Sequence, residues 1–108
     1  MAETFSFESL ISLIAAVTGC DAHEIEPASE FYGALFFDGL DVEGILEEAE
    51  QHFGVSIPEG ELKRLNPRRD LVGQDEPNPA FPEPTVQMLG DCIWRLQQAG
   101  TALHAEPT

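Results

Sequence analysis

The stretch FDGLDVEGILEEAEQHFGVSIP, Phe37–Pro58, constrains this chain more than any other. At 100° per residue, Val42, Ile45, Leu46, Ala49 and Phe53 fall on one side, which predicts an amphipathic helix with that face in a core. Asp38 stands where an N-cap belongs. Asp41, three residues on, is its capping-box partner, and both acids suit the positive end of the helix dipole. Gly54 marks the stop, and Val55–Pro58 reads as a short extended exit. Glu43, Glu47 and Glu50 form a stripe away from the core face, and Leu40 falls on that acidic side. Two readings of Leu40 stand together: a docking knob set among carboxylates, or a lone surface leucine that needs no explanation.

The rest of the chain supplies partners for that helix. From Ser6 to Thr18, the spacing of Phe7, Leu10, Ile11, Ile14 and Val17 predicts a first helix that stops at Gly19. The long connection Asp21–Phe37 holds Ile25, Phe31, Tyr32, Leu35, Phe36 and Phe37, which predicts a loop packed onto the core. Glu59–Leu65 suits one or two weak helical turns. Asn66–Pro84 carries five prolines and reads as a loop-like insert. Thr85 caps a last helix with Val86, Leu89, Cys92, Ile93 and Leu96 inside, stopping at Gly100. Trp94 lies off that stripe, where the proline segment is expected to cover it, and the final residues read as a frayed tail. The fold class is therefore all-α: a bundle of three main helices, a short element before the last, and a long loop after the first. One domain spans 1–108, with its core at about 6–99, the insert at 66–84 and the tail at 100–108.

Charge narrows the partners. The formal net charge is −15, and no Lys or Arg precedes Lys63. Such a field repels nucleic acid and anionic membranes and steers the chain toward basic protein surfaces. Lys63, Arg64, Arg68 and Arg69 sit together and are expected to pair with the molecule's own carboxylates. Cys20 and Cys92 read as reduced, packed thiols. Val17-Thr18-Gly19-Cys20 resembles a lipobox, but Glu3 and Glu8 occupy the place of a basic leader segment, so no lipid anchor is expected. No catalytic constellation is expected. His23, His52 and His104 lack ligand spacing, and Asp38, Asp41 and Glu43 do not follow a calcium-loop pattern, so no metal site is expected either.

With the helices in this order, the chain resembles the acyl carrier proteins. Ile25-x-Pro27, the buried loop positions Phe31 and Leu35, Asp38-Gly39-Leu40-Asp41 on the family's Asp-Ser-Leu-Asp motif, and the Phe53-Gly54-Val55-x-Ile57-Pro58 exit carry the likeness. Thr85-Val86 followed by Asp91 is similar to the start of the family's last helix. The resemblance implies a four-helix carrier fold whose motif serine is esterified by 4′-phosphopantetheine. A helix N-terminus suits that phosphodiester, because free N–H groups and the dipole meet it there.

At the serine position stands Gly39, and Phe36 replaces the family's usual upstream glycine. Divergent small bacterial members of the superfamily with glycine there are similar to this chain as well. The sequence therefore sets out the following expectations: no phosphopantetheine; a non-enzymatic, monomeric, cytoplasmic binding module of fatty-acid, lipid or polyketide metabolism; and a partner surface made of Asp38, Leu40, Asp41, Glu43, Glu47 and Glu50. The partners are carrier-dependent enzymes with basic patches. Two alternatives stay open: a genuine carrier whose serine was exchanged for Gly39 by engineering, and an acidic helical bundle that binds a lipid or acts as a chaperone.

Overall fold

A computed structural model describes residues 3–66 and 83–105. Among them are four α-helices and no strands: α1 Phe7–Thr18, α2 Gly39–Phe53, α3 Glu59–Leu65 and α4 Val86–Ala105, with one turn of 3-10 helix at Ala22–Glu24. The expected all-α bundle is the observed one. Most of the Asn66–Pro84 insert, Arg68, Arg69 and the last residues of the tail lie outside the described residues.

Local chemistry sets each boundary. Ser6 caps α1, its hydroxyl accepting from Ser9 N–H at 3.1 Å. Gly19 ends that helix at φ 78°, a left-handed conformation that costs glycine nothing. Gly54 ends α2 in the same way at φ 65°. Val17-Thr18-Gly19-Cys20 is thus the closing turn of a helix. Both cysteines are free, Cys92 buried and Cys20 partly so.

The apolar faces meet in one core. Leu10 and Ile14 of α1, Val42, Ile45, Leu46, Ala49 and Phe53 of α2, Leu65 of α3, and Val86, Leu89, Cys92 and Ile93 of α4 are all buried. Each such aliphatic or aromatic side chain stabilises the fold by about 1.5–3 kcal/mol. Val17 departs from expectation: it is 37% exposed, because it lies at the edge of the α1–α2 contact beside Gly44.

The connection between α1 and α2 is packed as its aromatics predict. Ile25, Phe31, Tyr32 and Phe37 are buried, and the rings of Phe31 and Phe37 stack with centroids 6.3 Å apart. A helix start leaves backbone N–H groups without intrahelical acceptors, and this loop supplies carbonyls to α4. Val86 N–H donates to Ser29 O at 3.1 Å and Gln87 N–H to Pro27 O at 2.7 Å, while Thr85 Oγ1 accepts from Met88 N–H. An isolated bridge between Glu30 and Thr85 completes the seam.

One expectation about α4 is corrected. The helix runs past Gly100 to Ala105, since one interior glycine costs about 1 kcal/mol and good helix formers follow it. Trp94 is 52% exposed, and the segment expected to cover it lies outside the described residues.

Candidate functional site

The sequence-predicted site gathers at the start and outer face of α2. Asp38 and Asp41 form a reciprocal capping box: Asp41 N–H donates to Asp38 Oδ1 at 2.8 Å, and Asp38 N–H donates to Asp41 Oδ2 at 3.1 Å. The acids therefore hold the helix end in the manner expected of a cap. Among the described residues, no group of His, Cys, Asp and Glu is arranged to hold a metal ion.

Leu40, in the first turn, is 77% exposed. Phe36 is 84% exposed, although the sequence reading places it among the packed loop aromatics. The reason is positional. Phe37 takes the buried place against Phe31, and its N–H donates to Phe31 O at 2.9 Å. Holding that bond and the following cap turns Phe36 into the left-handed region at φ 59°, the only non-glycine residue with positive φ among the described residues. A side chain there costs about 1–2 kcal/mol.

Glu43 and Glu47 lie on the stripe as predicted and, with Leu46, Glu50, Leu62 and Asn66, line a cleft of about 210 Å³ between α2 and α3. That volume is below the roughly 300–1,000 Å³ of small-molecule pockets. Glu50 has an inward task. Its carboxylate accepts from Ile57 N–H at 2.8 Å and fixes the exit of α2.

Gly39 is supported from beneath by a residue that sequence reasoning missed. Asn66, 1% exposed, donates from Nδ2 to Gly39 O at 2.9 Å and accepts at Oδ1 from the Tyr32 hydroxyl. Asparagine just after a helix is a recognisable C-cap, but its partners, 27 and 34 residues away, leave no trace in local pattern. Asn66 joins the first turn of α2, the loop and the end of α3.

The opposite side of α3 is bound by charge. Arg64 donates to Glu61 Oε2 at 2.7 Å and Arg95 to the same oxygen at 3.5 Å, so part of the basic cluster does pair internally. The Arg64 guanidinium holds the Glu61 carboxyl below its usual range. Burial, and then the neighbouring Glu61, push the Cys92 thiol up to about 11, so this cysteine is a packed thiol and not a nucleophile. His52 pairs with Glu3 at 3.2 Å, and His23 with Asp21 at 3.2 Å.

The family pattern described as the phosphopantetheine attachment site matches residues 8–72, which span α1, the loop, α2 and α3. An acyl carrier protein of Helicobacter hepaticus is 32% identical over 73 residues, covering 68% of this chain and 96% of that protein. The chain belongs to the acyl carrier protein family. Acyl carrier proteins of Myxococcus xanthus and Micrococcus luteus are each 35% identical over 63 residues, covering 58% of this chain and 80% and 78% of theirs. Members of this family are carriers and not enzymes, and they work with carrier-dependent enzymes. Among the described residues, no helix is long and apolar enough to cross a membrane.

The comparisons correct one expectation. The sequence reading assigns no cofactor, whereas the matched pattern is that of a phosphopantetheine attachment domain and runs through the start of α2. The prosthetic group indicated for this scaffold is 4′-phosphopantetheine, and the reading of a module without covalent cargo falls with that correction. The scaffold suits the group: a capped helix start, N–H groups of the first turn, and an exposed leucine beside them. The side chain does not. Glycine at 39 offers no oxygen for an ester, and the nearest serines in sequence, Ser29 and Ser56, lie in the loop and beyond the far end of α2.

Proposed function

We propose that this chain is an acyl-carrier-type module whose attachment position is residue 39. It meets carrier-dependent enzymes of fatty-acid, lipid or polyketide metabolism through the outer face of α2. The observation that carries this reading is the reciprocal Asp38–Asp41 box, which fixes Asp38-Gly39-Leu40-Asp41 at the first turn of the helix, with Leu40 outward and Glu43 and Glu47 about one and two turns further on. A genuine carrier whose serine has been exchanged for glycine accounts for the family match and the intact scaffold together. The exchange itself is structurally mild, since glycine within a helix costs at most about 1 kcal/mol.

Docking is electrostatic in its approach. Exposed carboxylates on a chain with no Lys or Arg before Lys63 give fast, salt-sensitive encounter and modest affinity. Leu40 supplies the apolar contact that such steering brings into register. Glu50 contributes less, because its carboxylate is engaged with Ile57 N–H.

The experiment is a pair of intact-mass measurements after incubation with a phosphopantetheinyl transferase and coenzyme A. The Gly39→Ser variant gains the mass of one phosphopantetheine. Failure of that variant to be modified overturns the assignment of residue 39, and so does an equal gain by the unaltered protein. Adding Glu43→Lys and Glu47→Lys to Gly39→Ser slows modification about tenfold or more at low salt, while far-UV circular dichroism stays the same. An unchanged rate removes the two glutamates from the docking surface.

A further inference from the structure

Four large apolar side chains are exposed among the described residues: Val17 at 37%, Trp94 at 52%, Leu40 at 77% and Phe36 at 84%. The two most exposed are four residues apart and lie on either side of the Asp38 cap. Singly scattered surface apolar groups are ordinary, but here they are paired at one end of one helix. Phe36 is also held in place. Phe37, locked against Phe31 by ring stacking and by its N–H bond, leaves residue 36 its left-handed backbone, so the ring projects from a fixed base. Glycine adopts that backbone without strain. A ring at this position buries little in the fold and is open to contact from outside the molecule.

We propose that Phe36 and Leu40 form a two-pronged apolar anchor for a protein partner whose surface offers an apolar recess bordered by lysine or arginine. This rests on the docking reading above and adds to it a specificity element that a carrier with glycine at 36 lacks. Charge selects the class of partner. Asp38 and Asp41 flank the anchor, Glu43 and Glu47 follow on the same helix, and no Lys or Arg precedes residue 63. An apolar recess with an acidic border is repelled, and one without charge gains no orientation. An aromatic side chain on a held backbone has only two side-chain angles to lose on docking, a property that suits an energetic hot spot.

The probe is a fluorescein-labelled helical peptide of leucine and lysine with the leucines on one face, titrated by anisotropy into the full chain. Phe36→Gly and Leu40→Ala each weaken binding about tenfold or more, with circular dichroism unchanged. A scrambled peptide of the same composition binds about tenfold more weakly to the unaltered protein. Unchanged affinity in Phe36→Gly overturns the anchor, and so does equal binding of the scrambled peptide, which reduces the attraction to charge alone. If Glu43→Lys with Glu47→Lys abolishes binding while Phe36→Gly does not, the anchor fails and the acidic docking face stands. If the unaltered protein binds neither peptide, the anchor fails, and the transferase experiment judges the docking face separately.

Discussion

The two ends of α2 are built on opposite terms. At its C-terminal end polar groups are tied into the fold. Gln97 accepts from Phe5 N–H and donates to Glu3 O and Phe53 O. Glu3 N–H reaches His52 O, and Phe5 packs edge-on against both Phe7 and Phe53. At the N-terminal end, the chain spends backbone strain at Phe36 and leaves that ring and Leu40 in water. One inward bond, from Asn66 to Gly39 O, secures the backbone there. The difference teaches where stability is made and where it is given up. The foot of the helix closes the fold, and its head carries the docking surface proposed above.

That contrast can be broken first at the foot. An alanine Cβ at Gly90 would meet the Phe7 ring at 2.5 and 2.7 Å and Phe5 at 2.9 Å, half-buried rings that pack on each other and must shift together to make room. Gly90→Ala should therefore destabilise the protein by about 3 kcal/mol, measured by urea denaturation. Stability equal to the parent would show that the foot is looser than its packing implies. Alkali tests the core beside α3 through Cys92. Its pKa is raised from 9.0 to about 11, so its contribution is fully present below pH 9 and disappears as pH climbs through 11. The loss should approach about 2–3 kcal/mol, and Cys92→Ala should flatten that stretch of the stability profile.

Two substitutions sharpen the comparison at the head. Asn66→Ala strips the Tyr32 hydroxyl of a buried acceptor and Gly39 O of a donor. A loss of about 1–3 kcal/mol is expected in the same denaturation series, with hydrogen exchange rising in the first turn of α2. Phe36→Gly works in the other direction. Relief of the left-handed strain should raise stability by about 1 kcal/mol, offset in part by the extra freedom of glycine in the unfolded chain. A fall in stability would mean that the ring makes contacts its exposure does not suggest.

Much of this was legible in the sequence, and the reasons are physical. Apolar residues at helical spacing specify which face is buried, so Val42, Ile45, Leu46, Ala49 and Phe53 could be assigned from pattern alone. Caps are local chemistry, and Asp38, Gly54 and Thr85 act where they stand. Phe36 could not be read in this way. Three consecutive residues, Leu35, Phe36 and Phe37, compete for the core, and which one is turned outward depends on hydrogen bonds to Glu30 and Phe31. Asn66 and the inward role of Glu50 were hidden for a related reason. Each depends on a partner that only the folded chain brings near. The attachment group came from the likeness to carriers. The glycine at 39 drew the expectation away from phosphopantetheine, and the family comparison restored it.

The triangle Tyr32–Asn66–Gly39 has a mechanical corollary. One buried amide serves two distant segments, so α3 cannot drift gradually from α2. Any parting breaks both of its hydrogen bonds together. The cleft between these helices should therefore behave as a latch, shut or sprung, with few positions between.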